Sequence, residues 1–149
     1  MIAVTAVPLD ELAVGDSLPA LVKYPTTEQL VRYAAAANDF ARIHFDAEHA
    51  RERGFDGVIV HGLLKAGFLA QLVTAWCGPD AWVKRFRAEY RRVDRPGRPI
   101  ICRGTVAGKL VEDGQTLVEL ELWTENASHE TTTKASATVV FPSGGSERP

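Results

Sequence analysis

Residues 62–76 read GLLKAGFLAQLVTAW, and how this stretch is housed decides the fold. Its polar side chains are Lys65, Gln71 and Thr74, which at 100° per residue do not gather on one face. A helix that is apolar nearly all round needs cover on most sides. At ~1.5 Å per residue it runs roughly 22 Å, too short for a bilayer and long enough to cross a small domain. His61 leads into it and the Gly78-Pro79 breaker ends it.

The flanking patterns indicate what covers this helix. Ser17 to Tyr24 suits a first strand stopped by Pro25. Thr26 and Gln29 have capping-box spacing, and Leu30, Tyr33, Ala34 and Ala37 form an i, i+3, i+4, i+7 stripe, so a helix runs from Thr26 to near Asn38. Asn38 to Phe45 reads as an irregular connection, and Asp46 to Arg53 as a short exposed helix closed by Gly54.

From Trp82 the period changes to two. Trp82, Phe86, Ala88 and Tyr90 take one face and Val83, Arg85, Arg87, Glu89 and Arg91 the other, with a break at Pro96-Gly97. Ile100 to Val111 alternates less cleanly, and Glu112-Asp113-Gly114 makes a turn. Val118, Leu120 and Leu122 oppose Glu119 and Glu121, and Thr131 to Phe141 sets Ala135, Ala137, Val139 and Phe141 on one side. Strand, helix, buried helix and four meandering strands make an α+β chain without βαβ alternation. An antiparallel sheet curled around one long apolar helix, the hot-dog arrangement, buries both. The expectation is a single domain over residues 1–142 and a disordered tail over 143–149.

At 149 residues the chain is long enough for one domain with a proper core, and its net charge of −2 gives no general attraction to nucleic acid or membrane. Cys77 and Cys102 lie far apart without metal-ligand spacing, which argues against zinc and against a disulfide framework and fits a reducing cytoplasm. The start, MIAVTAVPLDELAVGD, lacks the basic and apolar regions of a secretory signal.

Asp39 and His44 stand five residues apart in a connection expected to pass near the start of the buried helix. A carboxylate and an imidazole around one water can share its deprotonation and reprotonation near neutral pH. The plainer alternative is that Asp39 caps a turn and His44 bonds to backbone. His61-Gly62 marks the helix start, where free N–H groups suit a carbonyl oxygen gaining charge. Gly62 could equally serve only for close packing, and His61 reads more readily as a cap than as a ligand-facing group. His49 and His129 are expected to be solvated. Lys84 to Arg103 holds eight basic residues against Glu89 and Asp94, read as a solvated strand face that could also meet phosphates. The aromatic residues share the opposite parity, which argues against a nucleic-acid platform.

Taken together these residues resemble the MaoC-like (R)-specific enoyl-CoA hydratases and dehydratases. Their motif, Gly-Asp-x-Asn-Pro-x-His before a short acidic helix and a His-Gly helix start, is matched by Tyr33, Asp39, Ile43, His44, Asp46, Ala50-Arg51, Gly57, His61 and Gly62. Arg85-Phe86 and Pro96-Gly97 resemble the family's Arg-Phe strand and Pro-Gly turn, so the likeness runs from Val14 to Pro142. Asn38, Ala41, Arg42 and Arg98 depart from the motif's Gly, Asn, Pro and Asp.

The resemblance implies hydration of a trans-2-enoyl thioester or the reverse dehydration, with Asp39 and His44 acting on water and the Gly62 amide on the thioester oxygen. His61, Arg42, Arg85 and Arg87 would bind substrate, the arginines toward coenzyme A phosphates and partly across a dimer interface. No metal or redox cofactor is implied, the carrier being coenzyme A or an acyl-carrier protein. Alternatives are a hot-dog thioesterase and a non-catalytic subunit completing a paired MaoC-like chain. Open sheet edges and a half-covered helix lead us to expect at least a homodimer.

Overall fold

The computed structural model describes residues 7–142; residues 1–6 and the tail expected to be disordered over 143–149 lie outside them. In chain order the elements are β1 (Leu21–Lys23), α1 (Thr27–Ala37), a 3₁₀ turn (Arg42–His44), α2 (Ala47–Glu52), α3 (Gly62–Cys77), β2 (Trp82–Tyr90), β3 (Ile100–Glu112), β4 (Gln115–Glu125) and β5 (Thr131–Phe141). The strands form one antiparallel sheet in the order β1-β3-β4-β5-β2, with α3 packed on its inner face, which is the hot-dog fold.

Local chemistry sets the boundaries. Thr26 caps α1 by accepting from the Gln29 N–H at 3.1 Å, and Asn38 ends it in the left-handed region at φ 51°. Asp113 and Gly114, with φ of 50° and 74°, make the two-residue turn that joins β3 to β4. The first strand is shorter than expected. Pro19 lacks an N–H and interrupts the ladder, leaving Leu18 bonded to Gly104 and a bridge from Ser17 to Thr105 before β1 resumes at Leu21.

Two bulges correct the expected faces. In β2 the register shifts between Val83 and Arg85, so Lys84 is the extra residue, Val83 joins Phe86 on the core and Trp82 turns outward at 51% exposed. In β3 a shift between Val106 and Gly108 accounts for the imperfect alternation: Ile100, Cys102, Gly104 and Val106 point inward and the phase then changes.

The core forms where α3 meets β3, β4 and β5. Leu64, Phe68, Leu69, Leu72 and Val73 pack against Ile100, Val118, Leu120, Leu122 and Val139, and each such side chain contributes ~1.5–3 kcal/mol by leaving water. The helix is not covered on every side. Leu63, Gly67, Gln71 and Thr74 form an exposed stripe at i, i+4, i+8 and i+11, because a single curled sheet reaches only one side of it. Among the described residues no helix is long and apolar enough to cross a membrane.

Candidate active site

Three side chains that are distant in sequence meet at the start of α3. A donor atom from each of Asp39, His44 and His61 lies within 4.8 Å of the others. Asp39 follows the left-handed Asn38, and its N–H returns to Ala34 O at 2.9 Å, which turns the carboxylate away from α1. Asp39 is half-buried, His44 is buried and His61 is 0% exposed.

His44 Nδ1 donates to Ile59 O at 2.8 Å. A carbonyl only accepts, so in the neutral ring the lone pair sits on Nε2, the nitrogen left for a water or substrate proton. His61 lies under His44 with ring centroids 3.7 Å apart and planes 20° apart, and Tyr33 meets His61 edge-on at 4.9 Å. His61 Nε2 donates to Asp39 O at 3.4 Å, and its Nδ1 is buried without a partner.

His61 therefore provides no side-chain cap to α3, contrary to the sequence expectation, because its ring is drawn inward against His44. Burial, then the neighbouring His44, holds its pKa below the ordinary histidine value. The unfolded chain, with an ordinary value of 6.5, binds that proton more readily, so stability is intact above about pH 6.5 and falls as pH drops toward the folded value. We expect the urea midpoint to decline as pH falls through and below the ordinary histidine value of 6.5, and His61→Gln to flatten that slope. An unchanged slope in His61→Gln would refute it. The carboxylates held low by their partners, Asp46, Asp56 and Glu125, act at more acidic pH.

Gly62, as the first residue of α3, has an N–H without an acceptor inside the helix. Its missing side chain also matters for packing: a Cβ there would lie 3.1 Å from the Tyr90 ring. Close packing against Tyr90 is thus one reason for glycine at this position.

The MaoC like domain family matches residues 11–134. The chain belongs to the MaoC-like dehydratase family. Over 71 residues it is 35% identical to the 3-oxo-4,17-pregnadiene-20-carboxyl-CoA hydratase beta subunit of Mycobacterium tuberculosis strain H37Rv, a stretch that covers 48% of this chain and 55% of that relative. The chain thus matches only about half the length of that protein. Among solved structures, the ChsH1-ChsH2 complex of Mycobacterium tuberculosis includes a chain with TM-score 0.76 and 26% identity, covering 87% of this chain and 98% of its own. R-Hydratase PhaJ1 of Pseudomonas aeruginosa shares the fold with TM-score 0.81 at 22% identity, covering 97% and 94%.

At two of the departures from the MaoC-like motif, Ala41 and Arg42, main-chain and side-chain bonds tie the turn. Ala41 donates its N–H to Asp39 Oδ1 at 3.3 Å, and its carbonyl accepts from the His44 N–H at 3.0 Å. Arg42 O accepts from Phe45 and Asp46, and the Arg42 guanidinium grips Asp46 Oδ2 at 2.6 and 3.1 Å, so the turn is tied without a proline. Of the other arginines, Arg85 and Arg87 sit on the sheet face away from α3 and are not brought to Asp39 and His44 within the chain. Four of the eight basic residues, Arg91, Arg92, Arg95 and Arg103, pair with Glu89, Glu130, Asp56 and Glu125. His129 is exposed as expected, whereas the His49 side chain is only 17% exposed, with Glu52 Oε2 3.7 Å from its Nδ1.

An open groove of about 400 Å³ lies elsewhere, on that outer sheet face, lined by Arg87, Glu89, Glu121, Trp123 and Lys134. Its charges offset one another and it holds none of the three clustered groups, so the acid–base cluster, not this groove, is the candidate site. The three groups lie close enough to offer ligand atoms to a metal ion, although stacked imidazoles with planes 20° apart are an unfavourable arrangement for ligands that converge at ~2.0–2.1 Å.

Proposed function

We propose that the chain interconverts a trans-2-enoyl thioester and an (R)-3-hydroxyacyl thioester by adding or removing water. The observation that carries this reading is the approach of Asp39, His44 and His61 to within 4.8 Å of one another, with His44 held by its Nδ1 on Ile59 O. Two hydrogen bonds of ~2.8 Å to one oxygen span about that distance, so one water fits between them.

In the hydration direction one of the pair takes a water proton as the oxygen attacks the β-carbon, and the double-bond electrons move toward the thioester oxygen. The Gly62 N–H, reinforced by the dipole of α3, receives that developing charge. The proton taken from water is shared across the Asp39–His44 pair and returned to the α-carbon, which leaves both groups as they began, and dehydration reverses each step. His61 supports His44 from below. Arg42, Arg85 and Arg87 remain the candidates for carrier phosphates, the last two acting on a neighbouring subunit. This chemistry requires no metal or redox cofactor, and we place the protein in the cytoplasm.

Loss of enoyl absorbance and release of free thiol, followed together over a panel of short trans-2-enoyl-CoA and acyl-carrier thioesters, test the reading. Enoyl loss without thiol supports a hydratase; thiol release moves the chain to the thioesterases. Silence in both channels favours a second reading, a subunit that works beside another MaoC-like chain, which the likeness to a hydratase beta subunit supports.

Both readings include association. β1 and β2 are sheet edges, and Phe40, Phe45, Leu63 and Tyr90 expose apolar surface around the site. Light scattering at micromolar concentration is expected to give at least a dimer, and a stable monomer would remove this part of the proposal.

A further inference from the structure

The proposed chemistry leaves one buried pair of charges unused. Lys65 and Asp94 have side chains only 2% and 3% exposed, and Lys65 Nζ lies 2.8 Å from Asp94 Oδ2 and 2.8 Å from Arg92 O. Replacing such a pair by apolar residues of similar size is often neutral or stabilising, so stability alone is a weak reason for it. Its location supplies a better one. Asp94 O accepts from the Val60 N–H at 2.8 Å, and Ile59 O accepts from His44 Nδ1 at 2.8 Å. The Ile59 carbonyl and the Val60 N–H belong to the same peptide group.

We infer that the Lys65–Asp94 pair positions His44 through this single peptide, a role that rests on the hydratase reading given above. The ion pair anchors residue 94 to the first turns of α3, and the Asp94 carbonyl holds the Val60 N–H. The opposite end of the same peptide then keeps its oxygen on His44 Nδ1, leaving the lone pair on Nε2. Bonds in series polarise one another, so fixing one end strengthens the other. Lys65 also gives its main-chain N–H to His61 O at 3.3 Å, which ties the ring beneath His44 to the same turn. Lys65 and Asp94 are thus positioning residues, acting through His44.

The test uses the full chain with the double variant Lys65→Met/Asp94→Leu, which removes both charges together, and the near-isosteric Asp94→Asn. Imidazole nitrogen NMR reads the His44 tautomer, and kcat and KM are measured on an enoyl-CoA that the parent hydrates. The parent is expected to show a proton fixed on Nδ1. The double variant is expected to show mixed tautomers and a kcat lower by roughly 10- to 100-fold with KM little changed, the signature of a misplaced catalytic group. Asp94→Asn is expected to fall between the two. A purely structural pair would change the melting temperature but not the tautomer. Parental tautomer and kcat in both variants would therefore overturn the inference, and if the double variant does not fold, Asp94→Asn decides by the same signals. A parent without hydratase activity is a failure of the functional reading; the tautomer then decides the positioning role alone.

Discussion

Asp39→Asn is expected to lower enoyl hydration by roughly 10²- to 10⁴-fold, the range lost when a positioned acid–base group is removed. The substitution is close to a pure chemical deletion. Asn retains an oxygen able to accept the Ala41 N–H that now reaches Oδ1, and the main-chain bond to Ala34 is independent of the side chain. The carboxylate is half-buried and carries no ion pair among the described residues, so the melting temperature should barely move. Loss of activity with an unchanged melt would assign the carboxylate to chemistry. Full activity in Asp39→Asn would sink the proposed mechanism, in which the Asp39 carboxylate shares the water proton with His44 before it returns to the α-carbon.

Leu69→Ala is expected to destabilise the fold by ~2–5 kcal/mol, the range for deleting a buried leucine side chain. Leu69 is 0% exposed on the sheet side of α3, where the closely fitted core leaves little room for collapse around a void. The matched control is Leu63→Ala on the open stripe, 58% exposed, where the change should stay within ~0.5 kcal/mol unless association covers it. Urea titration of both variants gives the comparison. Equal small losses would mean that α3 is not enclosed by the sheet, and the fold described above would be wrong in its central feature. A large loss in Leu63→Ala that grows with protein concentration would instead place this stripe in a subunit contact.

The site was legible to the extent that its residues carry their own chemistry. Asp39, His44 and the His61-Gly62 step stood out because few arrangements of a carboxylate, an imidazole and a helix start lie so close in sequence. Lys65 did not stand out. Within the stretch 62–76 it is one polar residue on an apolar helix, and nothing nearby in sequence announces the carboxylate 29 residues later that neutralises it. The His44–His61 stack is hidden for the same reason: the position of His61 before an apolar helix suggests a cap, whereas its ring turns inward.

By itself the sequence determined what depends on residues a few positions apart. The Thr26 cap, the left-handed Asn38, the Asp113-Gly114 turn and the apolar run that becomes α3 are all settled by local sterics and hydrogen bonds. Only the tertiary structure decided which face each strand presents after a bulge, which side of α3 is left open, and which buried groups find one another. These depend on packing between segments far apart in the chain, where a single extra residue such as Lys84 reverses a face and a single peptide, Ile59–Val60, connects a buried ion pair to the histidine of the site.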